Sequence, residues 1–130
     1  MFLGEYQVSF DKEKGRLALP RKIREELKEG KVVLTRGFEN CIFGYHPSRW
    51  EEAAQEQLKI PVTDPRGREI RRYLFSAAMV CEFDNQGRLV LPKYLLEQAG
   101  ITNEVTIIGA GDHFELWESR RWEEYLKKQT

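Results

Sequence analysis

The sequence predicts an α+β protein made of two copies of one small unit. A Phe-Asp segment that ends in Gly-Arg-Leu-x-Leu-Pro occurs at residues 10–20 and again, one residue shorter, at residues 83–92. An Arg-Trp-Glu-Glu segment also occurs twice, at residues 49–52 and 121–124, with the spacing that relates Gly15 to Gly87. One such unit is too small to bury its apolar face alone, so we expect the copies to pack on each other or on other chains.

Each copy is predicted to contain two strands around a turn, a short helix, two further strands and a longer helix. In the first copy, apolar and polar residues alternate over residues 6–10 and 17–19, which predicts a hairpin around the turn between them. Pro20 is typical of the first turn of a helix, which we expect to end at Gly30. Strands are expected at residues 31–36 and 41–45, followed by a helix capped by Ser48 that runs to about residue 58.

The second copy follows the same plan after a connector at residues 60–63. Asp64 and Pro65 predict a cap and first turn for a helix over residues 68–78. Strands are expected at residues 79–83, 88–91, 104–109 and 113–117, and helices at residues 92–99 and 119–128. The predicted divisions are residues 1–58 for the first unit with its trailing helix, 59–78 for the connector and its helix, and 79–130 for the second unit with the C-terminal helix.

Charge is balanced over the whole chain and uneven locally. The 130 residues contain 21 Lys and Arg against 21 Asp and Glu, which argues against gross attraction to nucleic acid or anionic lipid. Between residues 12 and 24, however, six basic side chains stand against Glu13 alone. No apolar stretch approaches the roughly 20 residues of a membrane span. We therefore expect a soluble cytoplasmic protein, without membrane contact, that carries a positive patch at its first turn and the following helix.

The two turns have the composition of a DNA-contacting surface. Lys and Arg on a protruding turn can reach phosphates, and a planar Arg side chain can also bond to guanine in the major groove, which accepts a two-stranded ribbon. Glycine allows positive φ or a close approach to phosphate, and aspartate can orient a neighbouring arginine. The candidate DNA-binding residues are Lys12, Lys14, Gly15, Arg16, Arg21, Arg24 and Arg88. The residues expected to orient the turns are Asp11, Asp84 and Gly87.

Other interpretations of these turns stay open. Asp, Asn and Gly dominate tight hairpins for backbone reasons alone, although the duplication and the basic excess favour DNA binding. Arg24 has no acidic neighbour at helical spacing, so it is either a solvated helix charge or a charge free to point at DNA. Arg88 either contacts DNA or pairs internally with Asp84. Because the second turn carries Asn85 and Gln86, we expect the first copy to contribute more phosphate affinity.

The sequence gives no sign of catalytic chemistry. Its two histidines and two cysteines form no paired spacing of the kind that zinc sites use. No acidic, nucleophilic or histidine side chains are evidently poised together for a reaction. We therefore expect a protein that is not an enzyme and that has no cofactor and no metal.

The order of these features resembles the AbrB-type swapped-hairpin DNA-binding unit. Two such units, preceded by Met1-Phe2-x-Gly4 and each followed by a long helix, resemble the MraZ family of bacterial transcriptional regulators over nearly the whole chain. The hallmark of that family is an Asp-x-x-x-Arg turn, which residues 84–88 match residue for residue. Residues 11–16 contain one residue more, so the first loop is expected to present its basic side chains in a shifted geometry.

The resemblance implies a fold, a partner and an assembly. Two tandem swapped-hairpin β-α-β-β units with flanking helices would form one pseudo-symmetric, β-barrel-like domain. A ring-shaped homo-oligomer would bind short G-rich direct repeats in the duplex DNA of its own promoter. It would act mainly as a repressor of its division and cell-wall gene cluster, in association with the nucleoid. The rival interpretations are an AbrB-type antitoxin, which would bind a toxin through a C-terminal tail, and a barrel module or enzyme that does not bind DNA.

Overall fold

The computed structural model describes residues 1–129, which form eight strands and five helices. The elements of the first half are β1 (Glu5–Ser9), β2 (Arg16–Ala18), α1 (Arg21–Glu25), β3 (Lys31–Arg36), β4 (Ile42–Tyr45) and α2 (Pro47–Leu58). Those of the second half are α3 (Pro65–Phe75), β5 (Met79–Glu82), β6 (Arg88–Val90), α4 (Lys93–Ala99), β7 (Glu104–Gly109), β8 (Phe114–Glu118) and α5 (Ser119–Gln129). The α+β class predicted from the sequence is confirmed.

The two copies exchange strands. A six-stranded antiparallel sheet has the order β1-β7-β8-β4-β3-β5, and β2 and β6 form a separate two-stranded ribbon. In the sheet, β1 of the first copy pairs with β7 of the second, and β5 of the second copy pairs with β3 of the first. The ribbon also takes one strand from each copy. Each copy therefore contributes an edge strand that pairs with a strand of the other copy in one shared sheet.

The predicted hairpin between residues 6–10 and 17–19 is wrong. One isolated bridge, between Asp11 and Arg16, joins the two strands beside the turn. Beyond it the strands separate, and Leu17 lies opposite Leu89 of the second copy. Both leucines are buried in the core. Apolar residues at every second position show that a strand has a buried face, but they do not show which strand is its partner. In this structure the strands adopt the pairing that buries both leucines, and not the local hairpin.

One hydrophobic core joins both copies. The inner faces of the sheet, the ribbon, α1 and α4 all contribute to it. In or directly after the ribbon strands, α1 and α4 it includes Leu17, Leu19, Ile23, Leu27, Leu89, Leu91, Leu95 and Ala99, and in the sheet it includes Val32, Leu34, Ile42, Val105, Ile107, Phe114 and Leu116. The expectation that the copies pack on each other is confirmed, because residues of both copies form this one buried cluster.

The first helix is shorter than predicted. We expected residues 20–30, whereas α1 ends at Glu25. Beyond it, the N–H groups of Glu26 and Leu27 donate to the carbonyl oxygens of Ile23 and Arg24, at 3.1 and 2.9 Å. This spacing of three residues belongs to a turn tighter than an α-helix. It lets Leu27 reach the same core as Ile23.

The starts of α2 and α3 are capped by different kinds of side chain. His46, and not Ser48 as predicted, caps α2, because its Nδ1 accepts a hydrogen bond from the Ser48 N–H at 3.2 Å. Asp64 caps α3 as predicted, and its Oδ1 accepts from the Arg66 N–H at 2.9 Å. That helix ends at Phe75 rather than at residue 78. Within residues 1–129, each helix is too short or too polar to cross a lipid bilayer.

Just before β8, His113 lies between two carboxylates. Its Nδ1 is 2.7 Å from Asp112 Oδ1, and its Nε2 is 2.8 Å from Glu115 Oε2. The ring also stacks on Tyr45, with 5.2 Å between ring centroids. Burial lowers the pKa of His113, but the hydrogen bonds to Glu115 and Asp112 outweigh it, and the net pKa is raised. Nearby, burial raises the pKa of Tyr45 to about 12 and also raises that of Cys41, so both stay neutral near pH 7.

The raised pKa of His113 predicts a stability that depends on pH. The stabilisation is complete below the unfolded pKa of about 6.5 and is lost as pH rises through the folded pKa. We expect the free energy of unfolding to fall over this window in the native sequence and to fall less in His113→Gln. Urea unfolding of both proteins on either side of the window measures this difference. Equal losses in the two proteins would show that His113 does not carry the effect.

Candidate nucleic-acid interface

The β2–β6 ribbon carries the arginines of both turns on its outer face. Arg16 lies opposite Val90, and Ala18 lies opposite Arg88. The central residue of each strand points into the core, so these four side chains share the outer face. Arg16 and Arg88 occupy diagonal positions on it, where Cα atoms are about 7–8 Å apart. The ribbon therefore presents one arginine from each copy on a single surface.

Asp11 shapes the first turn. Its Oδ1 accepts hydrogen bonds from the N–H groups of Glu13 and Lys14, at 3.1 and 3.3 Å. Its carbonyl oxygen accepts from the N–H groups of Gly15 and Arg16, and Gly15 adopts a φ of +65°. The Arg16 Nε lies 3.7 Å from Asp11 Oδ2, too far for a good hydrogen bond. Arg16 thus stays beside the carboxylate without being firmly held by it.

The second turn is tighter. Asp84 Oδ1 accepts from the N–H groups of Gln86 and Arg88, both at 2.9 Å, and its Oδ2 accepts from Arg88 Nε at 2.8 Å. The bond from the backbone of Arg88 is the main cause that lowers the pKa of Asp84. The internal pairing of Arg88 that the sequence allowed is therefore present. The Arg88 side chain still keeps 42% of its surface exposed. The extra residue of the first loop explains why Arg16 is held less closely.

Each copy supports the turn of the other copy through its backbone. The Leu19 N–H, which follows β2, donates to the carbonyl oxygen of Gly87 at 2.8 Å. The Leu91 N–H, which follows β6, donates to the carbonyl oxygen of Gly15, also at 2.8 Å. The turns consequently lie at opposite ends of the ribbon, and each is fixed to the strand of the other copy.

Arg24 packs against the second turn rather than projecting freely into solvent. A Cβ atom placed on Gly87 would lie 2.5 Å from Arg24 Cδ, so the side chain crosses that glycine closely. Its Nε is buried and has no hydrogen-bond partner in the described chain. The expectation of a freely pointing helix charge is corrected accordingly. A cation of the first copy instead supports the turn of the second copy, which has no lysine.

The other basic residues occupy different surroundings. Lys12 and Lys14 are exposed, and neither makes an ion pair within residues 1–129. Arg21 is exposed on α1 and pairs with Glu25, with 3.2 Å between Nε and Oε1. Lys93, which sequence reasoning did not select, lines a cleft together with Lys12 and Lys14. The linear sequence gives no signal for this proximity, because it arises from the exchange of strands.

The two turn glycines predict a difference in tolerance to substitution. Both have positive φ, +65° at Gly15 and +78° at Gly87, which costs a residue with a Cβ about 1–2 kcal/mol. At Gly15 the nearest atom to the new Cβ is 3.7 Å away, whereas at Gly87 it would meet Arg24. We expect Gly87→Ala to lower the free energy of unfolding more than Gly15→Ala does in urea titrations. Equal losses would contradict the close packing of Arg24 on the second turn.

Comparison with known proteins identifies the family. Residues 1–73 and residues 74–130 each match the profile of the family described as "MraZ protein, putative antitoxin-like". The chain belongs to the MraZ family. The protein named transcriptional regulator MraZ of Roseiflexus sp. (strain RS-1) is 44% identical over 126 residues, covering 97% of this chain and 87% of that protein. Its namesake in Moorella thermoacetica is 42% identical over 130 residues, covering 100% and 90%. That of Limosilactobacillus fermentum is 39% identical over 125 residues, covering 96% and 86%.

The MraZ family match confirms the resemblance found from the sequence. It falls on both halves of the chain, in agreement with the repeated segment at residues 10–20 and 83–92. The MraZ relatives above are named transcriptional regulators, a description that fits a protein that is not an enzyme.

Proposed function

We propose that this chain is a sequence-specific DNA-binding transcriptional regulator that contacts the duplex with the outer face of the β2–β6 ribbon. The observation that carries the proposal is the position of Arg16 and Arg88, one from each copy, at diagonal positions on that face. Lys12 and Lys14 lie at one end of the ribbon without an ion-pair partner in the described chain. Membership of a family whose members are named transcriptional regulators supports the same function.

The proposed contacts divide into two kinds. A two-stranded ribbon fits the major groove, where an arginine can bond bidentately to guanine O6 and N7. We assign this role to Arg16 and Arg88. The lysines and Arg21 border the ribbon and are suited to phosphates, which supply much of the affinity but no sequence information. Arg24 supports the second turn and leaves its outer nitrogens for a phosphate. Asp11 and Asp84 shape the turns that carry the arginines.

The operator and the regulatory outcome follow from the same chemistry and from the family resemblance. We propose that the protein binds G-rich direct repeats in its own promoter, because arginine pairs with guanine more readily than with other bases. It would act mainly as a repressor of its division and cell-wall gene cluster, in the cytoplasm and associated with the nucleoid. Residues 1–58 and 79–130 would act as two swapped-hairpin units of one pseudo-symmetric barrel, with residues 59–78 between them. The exchange of strands supports this division.

Assembly into a ring would supply the affinity that one ribbon lacks. The chain has no net charge, so a single ribbon is a weak ligand for DNA, whereas several linked ribbons gain from effective concentration. The outer elements leave surface for neighbouring copies. In the described chain α2 has no buried residue, and β5 at the edge of the sheet exposes Met79 and Val80. These features support a homo-oligomer with a closed ring as its proposed form.

The rival interpretations have less support. An AbrB-type antitoxin needs a separate segment to hold its toxin, whereas here the second half supplies β7 and β8 as interior strands of the shared sheet. An enzyme or a barrel module that does not bind DNA would leave Arg16, which Asp11 holds only loosely, without a role. We therefore retain DNA binding as the proposed function.

A salt series tests the proposed division between the copies. Each phosphate contact contributes about 0.9 to the slope of log affinity against log salt concentration. We expect the double variant Lys12→Ala, Lys14→Ala to reduce this slope by about two, and Arg88→Ala to reduce it less. Fluorescence anisotropy with a labelled promoter duplex over a range of KCl concentrations measures the slopes. Lys59→Ala, which removes a lysine paired with Glu56, is the control. Equal slopes for the double variant and Arg88→Ala would show that the copies contribute alike.

A further inference from the structure

A cleft of about 570 Å³ opens between the first turn and α4. Small-molecule sites are typically about 300–1,000 Å³ and mostly apolar, with a few polar groups that fix orientation. The floor of this cleft is apolar and is formed by Phe10, Leu91, Leu96 and Ile101. Its rim is basic and is formed by Lys12, Lys14 and Lys93. Apolar and cationic surfaces therefore meet at one site.

The other half of the molecule shows what kind of group such a site accepts. Leu96 in the second copy corresponds to Arg24 in the first, by the offset that relates Gly87 to Gly15. Arg24 lays its aliphatic stem across Gly87, and its Nε is buried there. At the first turn a Cβ atom placed on Gly15 would lie 3.7 Å from Leu96, and the cleft stays open. At the second turn the equivalent place is thus filled by a linear aliphatic chain with a charged end, which Arg24 of the first copy supplies.

The rim determines the charge of the group that would fill the open cleft. Three lysine ammonium groups border it, and Glu13 is the one acidic residue among its lining residues. None of these lysines makes an ion pair within residues 1–129. An anionic head group would find uncompensated positive charge here, and its hydrocarbon chain would cover the apolar floor.

We propose that this cleft binds the anion of a medium-chain fatty acid. The hydrocarbon chain lies on Leu91, Leu96 and Ile101, and the carboxylate meets the lysine rim. Because Lys12 and Lys14 are also the proposed phosphate contacts, bound fatty acid and bound DNA oppose each other. That coupling rests on the proposed function, whereas occupation of the cleft does not.

Calorimetric titration of the full chain with octanoate, decanoate and dodecanoate, all below their micellar concentrations, tests occupation. We expect saturable binding of one anion per chain, and affinity that rises by up to about fourfold for each methylene that the cleft buries. Decanol, which has the chain without the charge, should bind more weakly. Equal binding of decanol, affinity that does not depend on chain length, or no binding would overturn the proposal. If a neighbouring copy of the chain fills the cleft, the titration will show no binding.

Variants locate the site. Leu96→Arg reproduces the arrangement seen at Gly87, so it should fill the cleft and weaken decanoate binding at least about tenfold. Lys93→Gln changes an exposed side chain and should fold whether or not Leu96→Arg does. It should weaken decanoate binding several-fold, with a smaller difference at high salt. Lys59→Gln is the control, and its affinity should equal that of the native sequence. Unchanged affinity in Lys93→Gln, or in a folded Leu96→Arg, would overturn the assignment of this cleft.

A separate arm tests the coupling to DNA. Decanoate should weaken the binding of the promoter duplex to the native chain. The affinity of the Leu96→Arg variant for the duplex should be the same with and without decanoate. If calorimetry shows that decanoate binds but decanoate does not change the DNA affinity, the proposed fatty-acid site is retained and the coupling to DNA is overturned. If the native chain binds no DNA at all, the proposed function fails while the calorimetric result still decides the cleft.

Discussion

Arg16→Ala is expected to abolish specific DNA binding and to leave the fold intact. The side chain is 28% exposed on the outer face of the ribbon, and its contact with Asp11 is long, so the core gains little from it. One lost bidentate contact with a base costs about 1–3 kcal/mol, and the loss recurs in every subunit that engages a repeat. Anisotropy with the promoter duplex and with a duplex of scrambled sequence measures specific and non-specific binding separately.

Two further variants separate the role of Arg16 from that of its charge. Arg16→Lys keeps the charge and loses the planar side chain, so it should retain non-specific binding and lose discrimination between the two duplexes. Arg49→Ala removes an exposed arginine of α2 that pairs with Glu52, and it should bind as the native sequence does. Circular dichroism and thermal unfolding verify the fold of each variant. Native affinity in a folded Arg16→Ala protein would refute the proposed role of the turn.

A shift of the repeat spacing by about half a helical turn, roughly five base pairs, is expected to weaken DNA binding strongly. Alternate repeats would then face the far side of the duplex, out of reach of the ribbons of one closed assembly. Simultaneous engagement can raise affinity by about 10²–10⁴, and most of that gain would be lost. A shift of about ten base pairs returns the repeats to the same side of the duplex and is the matched control.

Light scattering of the free protein accompanies this experiment. We expect an oligomer at micromolar concentration, because strand exchange within one chain leaves the outer surfaces of α2 and β5 available to neighbours. A monomer at that concentration, or binding that does not respond to repeat spacing, would refute the ring. DNA binding through a single ribbon would then remain as the simpler proposal.

The repeated segment and the alternation of apolar residues predicted much of the fold. They correctly indicated two similar halves, the strands at residues 31–36 and 104–109, and the short helix that ends before Gly100. They did not indicate which strands pair. Alternation records which side of a strand is buried, and either a local hairpin or an exchange between copies would satisfy it. Packing of Leu17 on Leu89 decides between them.

The candidate site was predictable only where it is local in sequence. Each Asp and Arg pair lies within one turn, so its proximity could be expected from spacing alone. The approach of Arg24 to Gly87, and of Lys93 to the first turn, joins residues of different copies. These contacts depend on the exchange of strands, which a purely local hairpin at residues 6–19 would exclude. The prediction that Ser48 caps α2 failed for a different reason. The His46 side chain accepts the hydrogen bond from the Ser48 N–H and so forms the cap.

A structure of the protein bound to a duplex with the promoter repeats is the most direct test of the proposed interface. We expect the outer face of the β2–β6 ribbon to lie in the major groove. Arg16 should lie within hydrogen-bond distance, about 2.7–3.2 Å, of the base edges, and Lys12 and Lys14 should contact the phosphates. DNA bound along α2, α3 or the sheet edges, with Arg16 and Arg88 still facing solvent, would contradict the assignment of the ribbon as the DNA-binding surface.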